Sequence, residues 1–315
     1  MAPCEAAGPR TSLEATMLTP APHKSALSFA AACLATALLL ASSLACAAAA
    51  VPPLPSMFQK GLVYLKISVN DQPDAWMLLD TGTTESIIDT DYAKSIGIKL
   101  TASAEQQTTF GTTKPATFDT GAIHVRAGSE PAKTVLFQSI GMDGMRGPDG
   151  MPVAGMLGRT FLEGKSIVID YLREEVYFET PQPASRGDVA MALDTGIPII
   201  QLTMSGQQVD ALIDTGGTYG IIITPAMAKS LGIEALMAEA KPAPTMGHGG
   251  AQAIVIGKAP PFSIGGLAVP ELKAAYTTFG TATDTIGAGI SLGVGFLKKY
   301  KVTLNYVTKT VRFDS

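Results

Sequence analysis

The chain has little of several residue types that carry common chemistries. Its three cysteines, Cys4, Cys33 and Cys46, all precede residue 51, so the rest of the chain has no disulfide and no cysteine ligand for a metal. The three histidines lie far apart, which argues against a zinc centre. A net charge of −4 supplies no basic field, so we expect no nucleic-acid partner.

What the chain does contain is typical of a β-rich globular protein. Of its 315 residues, 46% are hydrophobic and 16% are charged, which argues against disorder. The 32 glycines and 21 prolines indicate many tight turns rather than long helices. The length allows one large domain or two ordinary ones.

Residues 1–50 are expected to form a signal peptide. Lys24 precedes an uncharged stretch, Ser25 to Ala50, that contains Ala-x-Ala cleavage sites, and Met17 is an alternative start. We therefore expect an exported protein, periplasmic or secreted. The alternatives are an uncleaved anchor, because the stretch is long enough to span a bilayer, or a lipidated Cys46. We expect membrane contact only through one of these two.

The sequence then repeats itself. "GLVYLKISVNDQPDAWMLLDTGTTESIIDTDYAKSIGI" from Gly61 aligns with "GIPIIQLTMSGQQVDALIDTGGTYGIIITPAMAKSLGI" from Gly196, and "MLGRTFLEGKSIVIDY" from Met156 aligns with "SLGVGFLKKYKVTLNY" from Ser291. Each half predicts strands, a short helix that ends at a glycine, and a closing β-hairpin. We therefore predict two similar lobes, 51–183 and 184–315, joined at "TPQPASRGD".

Asp-Thr-Gly occurs four times, beginning at Asp80, Asp119, Asp194 and Asp214. Spacing separates the copies. A Leu-Gly motif ends at Gly158 after Asp80 and at Gly293 after Asp214, and these two intervals are almost equal. No such motif follows the other two copies at that interval. Asp119 and Asp194 are therefore interpreted as turn residues, where Asp and Gly are favoured for backbone reasons.

The motifs "LLDTG" with "MLGRTFL" and "LIDTG" with "SLGVGFL" resemble those of the retropepsin-like and pepsin-like aspartic proteases, most of all bacterial exported aspartyl proteases. The resemblance implies an all-β fold with two β-barrel lobes and a few short helices. It also implies an aspartic endopeptidase that needs no metal or organic cofactor and binds polypeptide in an extended conformation.

In such a protein Asp80 and Asp214 would be the catalytic pair. Two carboxyl groups that share a site cannot both ionise cheaply, so one acts as base on a water while the other stays protonated. The resemblance further implies that both threonines of the motifs bond to the opposite lobe and that the glycines let backbone approach the carboxyls. The supporting residues are Thr81, Gly82, Thr83, Thr215 and Gly216.

The residue after each motif differs between the lobes: Thr83 in the first and Gly217 in the second. A hydroxyl there can donate to the neighbouring carboxylate and favour its charged form. On that basis we expect Asp80 to be the ionised partner and Asp214 the protonated one.

The family also closes a hairpin flap over the substrate. The Gly-rich segment of the second lobe that contains Gly247, His248, Gly249 and Gly250 is expected to form this flap, and 108–117 is its counterpart in the first lobe. The alternative for both segments is an ordinary surface hairpin. An alternative for the whole protein is a pseudo-protease that binds peptide or protein without cleaving it.

Overall fold

The computed structural model describes residues 51–104, 115–142, 145–247, 250–278, 280–281, 284 and 286–315. The expected signal peptide, most of the first-lobe flap segment, and two residues of the second-lobe flap, His248 and Gly249, lie outside the described residues. Val51–Ser315 forms one compact unit, whose elements are mostly strands. Among the described residues, no helix has the length and apolar character needed to cross a membrane.

The first lobe is a closed barrel. Six of its strands run in the order β2-β3-β8-β4-β7-β6, and a further pairing of β2 with β6 closes the ring. Its strands are β1 (Ser56–Gln59), β2 (Leu62–Val69), β3 (Ala75–Leu79), β4 (Ser86–Asp89), β5 (Thr101–Ala102), β6 (Phe118–Ala127), β7 (Lys133–Ile140) and β8 (Gly155–Leu157). Its helices are α1 (Thr90–Ser95) and α2 (Arg159–Leu162), with a 3-10 turn at Pro148–Gly150.

The second lobe repeats this plan with one difference. Where β2 pairs with β6 in the first lobe, β12 pairs with β17 of the short hairpin β17–β18. Its strands are β12 (Ile199–Met204), β13 (Gln207–Ile213), β14 (Ile221–Ile223), β15 (Lys241–Gly247), β16 (Gly250–Ala259), β17 (Phe262–Ile264), β18 (Leu267–Val269), β19 (Leu272–Thr277) and β20 (Ile290–Leu292). Its helices are α3 (Pro225–Ser230), α4 (Glu234–Ala238) and α5 (Val294–Leu297).

The closing hairpins of both lobes join in one shared sheet. Its order is β10-β9-β21-β22-β11, and β9 and β21 lie antiparallel at its centre. The strands are β9 (Ser166–Asp170), β10 (Glu175–Glu179), β11 (Val189–Ala192), β21 (Lys301–Asn305) and β22 (Thr310–Asp314). The lobe boundary at residues 183 and 184 stays a prediction, because this sheet bonds strands from both sides of it.

Local sequence explains the helices that follow each motif. Asp89 caps α1 by accepting hydrogen bonds from the amides of Asp91 and Tyr92, and Thr224 caps α3. Gly97 and Gly232, which follow these helices, have φ angles of +78° and +67°. The predicted left-handed glycine ends are therefore confirmed.

The two lobes contact each other through matched glycines. Gly61 and Gly196 begin the two repeats. Each lies against the residue that follows the Leu-Gly motif of the other lobe, which ends at Gly293 or Gly158. A Cβ on Gly61 would meet the side chain of Val294, and a Cβ on Gly196 would lie 3.2 Å from Arg159 Nε. Repeat symmetry thus extends to the lobe interface.

Candidate active site

Asp80 and Asp214 directly follow two equivalent strands. β3 ends at Leu79 and β13 ends at Ile213, and each pairs in parallel with the strand that carries the second motif. The ladders continue one residue further, because the amide of Asp80 donates to Leu157 (3.0 Å) and that of Asp214 donates to Leu292 (2.9 Å). Backbone bonds therefore fix the direction in which each carboxyl group points.

The two carboxyl groups lie side by side at the lobe interface, where each affects the pKa of the other. The glycines of the motifs make this approach possible. A Cβ on Gly82 would lie 2.9 Å from Asp214 Oδ1, and a Cβ on Gly216 would lie 2.5 Å from Asp80 Oδ2. Any larger residue at these positions would push the opposite carboxyl group away.

The carboxyl groups differ in their backbone donors. Asp80 Oδ1 accepts the amide of Gly82 (2.9 Å). Asp214 Oδ1 accepts two amides, those of Gly216 and Gly217, each at 2.9 Å. Because amide donors stabilise the charged form of a carboxyl group, the second lobe is the better place for the negative charge.

The pKa shifts agree with this asymmetry. Both side chains keep some solvent contact, yet burial by the surrounding protein is the largest cause that raises the pKa of each. For Asp80 the negative charge of Asp214 adds to burial, and its pKa rises to about 8. The two hydrogen bonds that Asp214 accepts from backbone amides oppose the rise in its pKa. The pair therefore holds its proton mainly on Asp80.

This outcome reverses the charge assignment expected from the sequence. That expectation required the Thr83 hydroxyl to donate to a carboxylate, but it donates to the carbonyl of Glu85 instead (3.1 Å). A hydroxyl has one proton to donate, so none remains for Asp80. The expectation was wrong because it compared side chains and overlooked the backbone amide of Gly217.

The threonines of the two motifs bond across the interface, as predicted. The Thr81 hydroxyl donates to Ile213 O (2.6 Å) and accepts from the amide of Thr215 (3.1 Å). The Thr215 hydroxyl donates to Leu79 O (2.7 Å) and accepts from the amide of Thr81 (3.0 Å). Both side chains are buried, so these four bonds hold the aspartate loops in register.

The second glycine of each lobe lies where the two motifs cross. A Cβ on Gly158 would lie 2.8 Å from Thr83 O, and a Cβ on Gly293 would lie 2.5 Å from Gly217 O. Only glycine lets the two backbones pass at this separation. The sequence interval that selected Asp80 and Asp214 therefore reflects a physical contact.

The other two Asp-Thr-Gly copies lie apart from the pair. Asp194 lies in a turn, as predicted. Asp119 lies inside β6, where the register shifts at a β-bulge before Ala122 and Gly121 has a φ angle of +70°. The prediction of a turn at Asp119 was therefore wrong. The glycine of this copy instead supplies the positive φ angle of a β-bulge.

The expected second-lobe flap is part of a hairpin. Gly247 ends β15, Gly250 begins β16, and the two residues are antiparallel partners. His248 and Gly249 connect them and lie outside the described residues. Closure of this hairpin over a substrate stays a prediction.

Two tyrosines at matched places in the repeat lie within electrostatic reach of the pair. Tyr171 and Tyr306 follow the central strands of the shared sheet and are 8% and 7% exposed. Burial raises the pKa of both hydroxyls, with a further contribution from Asp214 for Tyr171 and from Asp80 for Tyr306. In the sequence, the only sign of this role is that the two tyrosines align with each other in the repeat.

Two similar β-lobes with paired aspartates at their interface define a retropepsin-like, bilobal aspartic-protease fold. A family model described as aspartyl protease matches residues 65–161 and again residues 200–296, together more than half of the chain. The chain therefore belongs to the aspartyl protease family. A comparison with curated proteins found no significant match.

Proposed function

We propose that this protein is an aspartic endopeptidase with Asp80 and Asp214 as its catalytic residues. One observation carries the proposal: the two carboxyl groups lie side by side at the lobe interface while the amides of Gly216 and Gly217 favour charge on Asp214. One protonated and one ionised acid in contact is the arrangement that water-mediated amide hydrolysis requires.

In the proposed reaction, a water molecule lies between the carboxyl groups and the scissile carbonyl. The Asp214 carboxylate takes a proton from this water while the water oxygen attacks the carbonyl carbon. Asp80 donates its proton to the carbonyl oxygen. In the resulting tetrahedral intermediate, Asp214 returns its proton to the amide nitrogen. As the C–N bond breaks, one hydroxyl of the intermediate gives its proton to Asp80 and becomes the carbonyl oxygen of the acid product, which restores the starting state.

An extended polypeptide is the substrate we propose, with its backbone pairing to strand edges beside the cleft. The hairpin β15–β16 lies at the end of the second-lobe sheet, where such pairing is open to a further strand. We also propose that the protein acts outside the cytoplasm, because residues 1–50 have the composition of an export signal.

The deciding experiment compares cleavage of a diverse peptide pool, from acid to neutral pH, by the wild type, Asp80→Asn and Asp214→Asn. Asp119→Asn is the matched control, since Asp119 is an exposed aspartate in a third Asp-Thr-Gly copy. We expect both dyad variants to lose cleavage and the control to retain it. Cleavage that survives both substitutions contradicts the proposal. Peptide binding without cleavage by the wild type supports a pseudo-protease instead.

A further inference from the structure

The repeat gives the molecule an approximate twofold axis, which passes through the shared sheet as well as between the two aspartates. Val168 and Thr303 occupy equivalent places in the segments that align without a gap, and they are direct partners where β9 pairs with β21. In an antiparallel pair, two equivalent residues face each other only where a twofold axis passes between them. Asp80 and Asp214 are also equivalent and adjacent. The centre of the shared sheet therefore lies on the axis that runs between the carboxyl groups.

Side-chain alternation places Tyr171 and Tyr306 on the inner side of this sheet. Each tyrosine follows its strand, β9 or β21, by one residue and belongs to the main core, together with the residues two and four positions before it. Leu79 and Ile213, which precede the two aspartates, belong to the same core. The two tyrosines therefore point into the core that supports the aspartate loops, and they stand at matched places on either side of the axis.

Packing accounts for the rings of these tyrosines but not for their hydroxyl groups. The Tyr171 ring stands edge-on to Phe58, with ring centroids 5.6 Å apart, a contact that phenylalanine would make equally well. Both hydroxyl oxygens are buried and have no hydrogen-bond partner among the described residues. Elsewhere the fold does satisfy a buried tyrosine, since the Tyr276 hydroxyl donates to Lys258 O (2.7 Å). Two matched, unpaired hydroxyls therefore require an explanation other than packing.

The aspartate pair supplies the charge that acts on these hydroxyls. Burial is the largest cause that raises the pKa of both tyrosines, and the negative charge of one aspartate is the second: Asp214 for Tyr171 and Asp80 for Tyr306. The charges that contribute to the pKa values of the two hydroxyls and the two carboxyl groups are those of the pair itself. Each tyrosine thus acts on the aspartate of the other repeat, as the twofold axis requires of a matched pair.

A hydroxyl without a fixed partner, as in Tyr171 and Tyr306, is free to rotate its proton toward a nearby negative charge. Such a dipole stabilises a carboxylate most strongly in surroundings that exclude water. We propose that Tyr171 and Tyr306 are positioning residues that act from the protein interior on the aspartate of the other repeat. Tyr171 stabilises the charge that Asp214 carries at the start of the reaction, and Tyr306 stabilises the charge that Asp80 acquires when it gives up its proton. This inference rests on the proposed function and adds two buried residues to it.

The first test is the pH dependence of kcat/KM in the two phenylalanine variants. Tyr171→Phe should move the acid limb to higher pH by about half a unit or more, because Asp214 loses a dipole that favours its charged form. Tyr306→Phe should move the basic limb to higher pH by a similar amount, because Asp80 then keeps its proton to a higher pH. A limb that stays in place in either variant overturns the role of that tyrosine, whatever the melting temperature.

Tyr177→Phe is the matched control. Tyr177 lies in the same sheet as the partner of Val168, and its two neighbours in β10 pack in the main core, so its own side chain lies on the outer side. Both limbs should stay in place in this variant. If a phenylalanine variant does not fold, 3-fluorotyrosine at position 171 or 306 replaces it. Fluorine makes the hydroxyl a stronger donor, so the corresponding limb should move to lower pH, and an unmoved limb overturns the proposal.

Carbon-13 NMR of aspartate labelled at the carboxyl carbon separates this inference from the proposed function, because it needs no substrate. Asp80→Asn and Asp214→Asn assign the two signals, and the pair titrates with two apparent pKa values. Tyr171→Phe should raise the lower value and Tyr306→Phe the upper one, each by about half a unit or more. These shifts in a protein that cleaves no peptide support the inference and contradict the peptidase. Cleavage by a protein whose titration is unchanged in both variants does the reverse.

Discussion

Thr81 and Thr215 exchange hydrogen bonds across the lobe interface: each hydroxyl accepts the amide of the other residue, at 3.1 and 3.0 Å. Each hydroxyl also donates to the residue before the opposite aspartate, Ile213 O or Leu79 O. The link between the lobes is therefore made one residue from each carboxyl group, where a small displacement has the largest effect on the geometry of the pair.

Removing either hydroxyl should destabilise the protein. We expect Thr81→Val or Thr215→Val to lower the free energy of unfolding by about 1–3 kcal/mol, because each leaves a buried carbonyl and a buried amide without partners. Urea denaturation measures the change. Thr81→Ser keeps the hydroxyl and should recover most of the loss. A valine variant as stable as the wild type would show that the cross-lobe bonds contribute nothing.

A methyl group on Gly216 should disable the site without unfolding the protein. Its Cβ would lie 2.5 Å from Asp80 Oδ2, so the carboxyl group must move. We expect Gly216→Ala to reduce kcat/KM by about 100-fold, the usual cost of misplacing a reacting group by an ångström. Gly266→Ala is the control, because a Cβ there meets nothing within 4 Å. Equal activity of the two variants would refute the steric argument.

Stability should fall as pH rises through the titration range of Asp80. Its pKa is near 3.8 unfolded and about 8 folded, so between these values the unfolded chain gives up a proton that the folded protein keeps. Unfolding therefore becomes more favourable with rising pH. We expect Asp80→Asn to remove this loss and to be more stable than the wild type by about 1–3 kcal/mol at pH 8, with little difference at pH 3.

Chemical denaturation at several pH values measures this difference. Asp119→Asn provides the control for replacing an exposed aspartate. If the advantage of Asp80→Asn were the same at pH 3 and pH 8, ionisation of Asp80 would not be its cause.

The Thr83 hydroxyl should not influence the protonation of the pair, because its proton goes to Glu85 O. We therefore expect Thr83→Ala to leave the acid limb of the pH-rate profile in place. A clear shift of that limb would mean that the hydroxyl reaches a carboxylate during catalysis and would restore the charge assignment expected from the sequence.

The buried hydroxyls of Tyr171 and Tyr306 should destabilise the folded protein. Both are buried and have no hydrogen-bond partner among the described residues, and an unpaired buried polar group costs about 1–3 kcal/mol. We expect Tyr171→Phe and Tyr306→Phe each to raise the melting temperature, as scanning calorimetry would show. A lower melting temperature for either variant would indicate that its hydroxyl stabilises the fold.

Sequence alone was enough to find the repeat, the two aspartates among four Asp-Thr-Gly copies that meet at the lobe interface, and the helices and hairpins near them. These features depend on local spacing: alternating apolar residues, capping side chains, glycines that end helices, and the interval between motifs that cross. Such signals lie close together in the chain or recur at a fixed interval, so they can be counted along it.

Tertiary structure decided which groups meet, and therefore how the two aspartates differ. The pairing of β9 with β21 joins segments that are distant in sequence, and the two amides that donate to Asp214 depend on backbone direction. The Thr83 hydroxyl illustrates the reason: the sequence shows a donor beside Asp80, but backbone geometry gives its only proton to Glu85 O. Residue identity lists the possible partners of a group, and the fold selects among them.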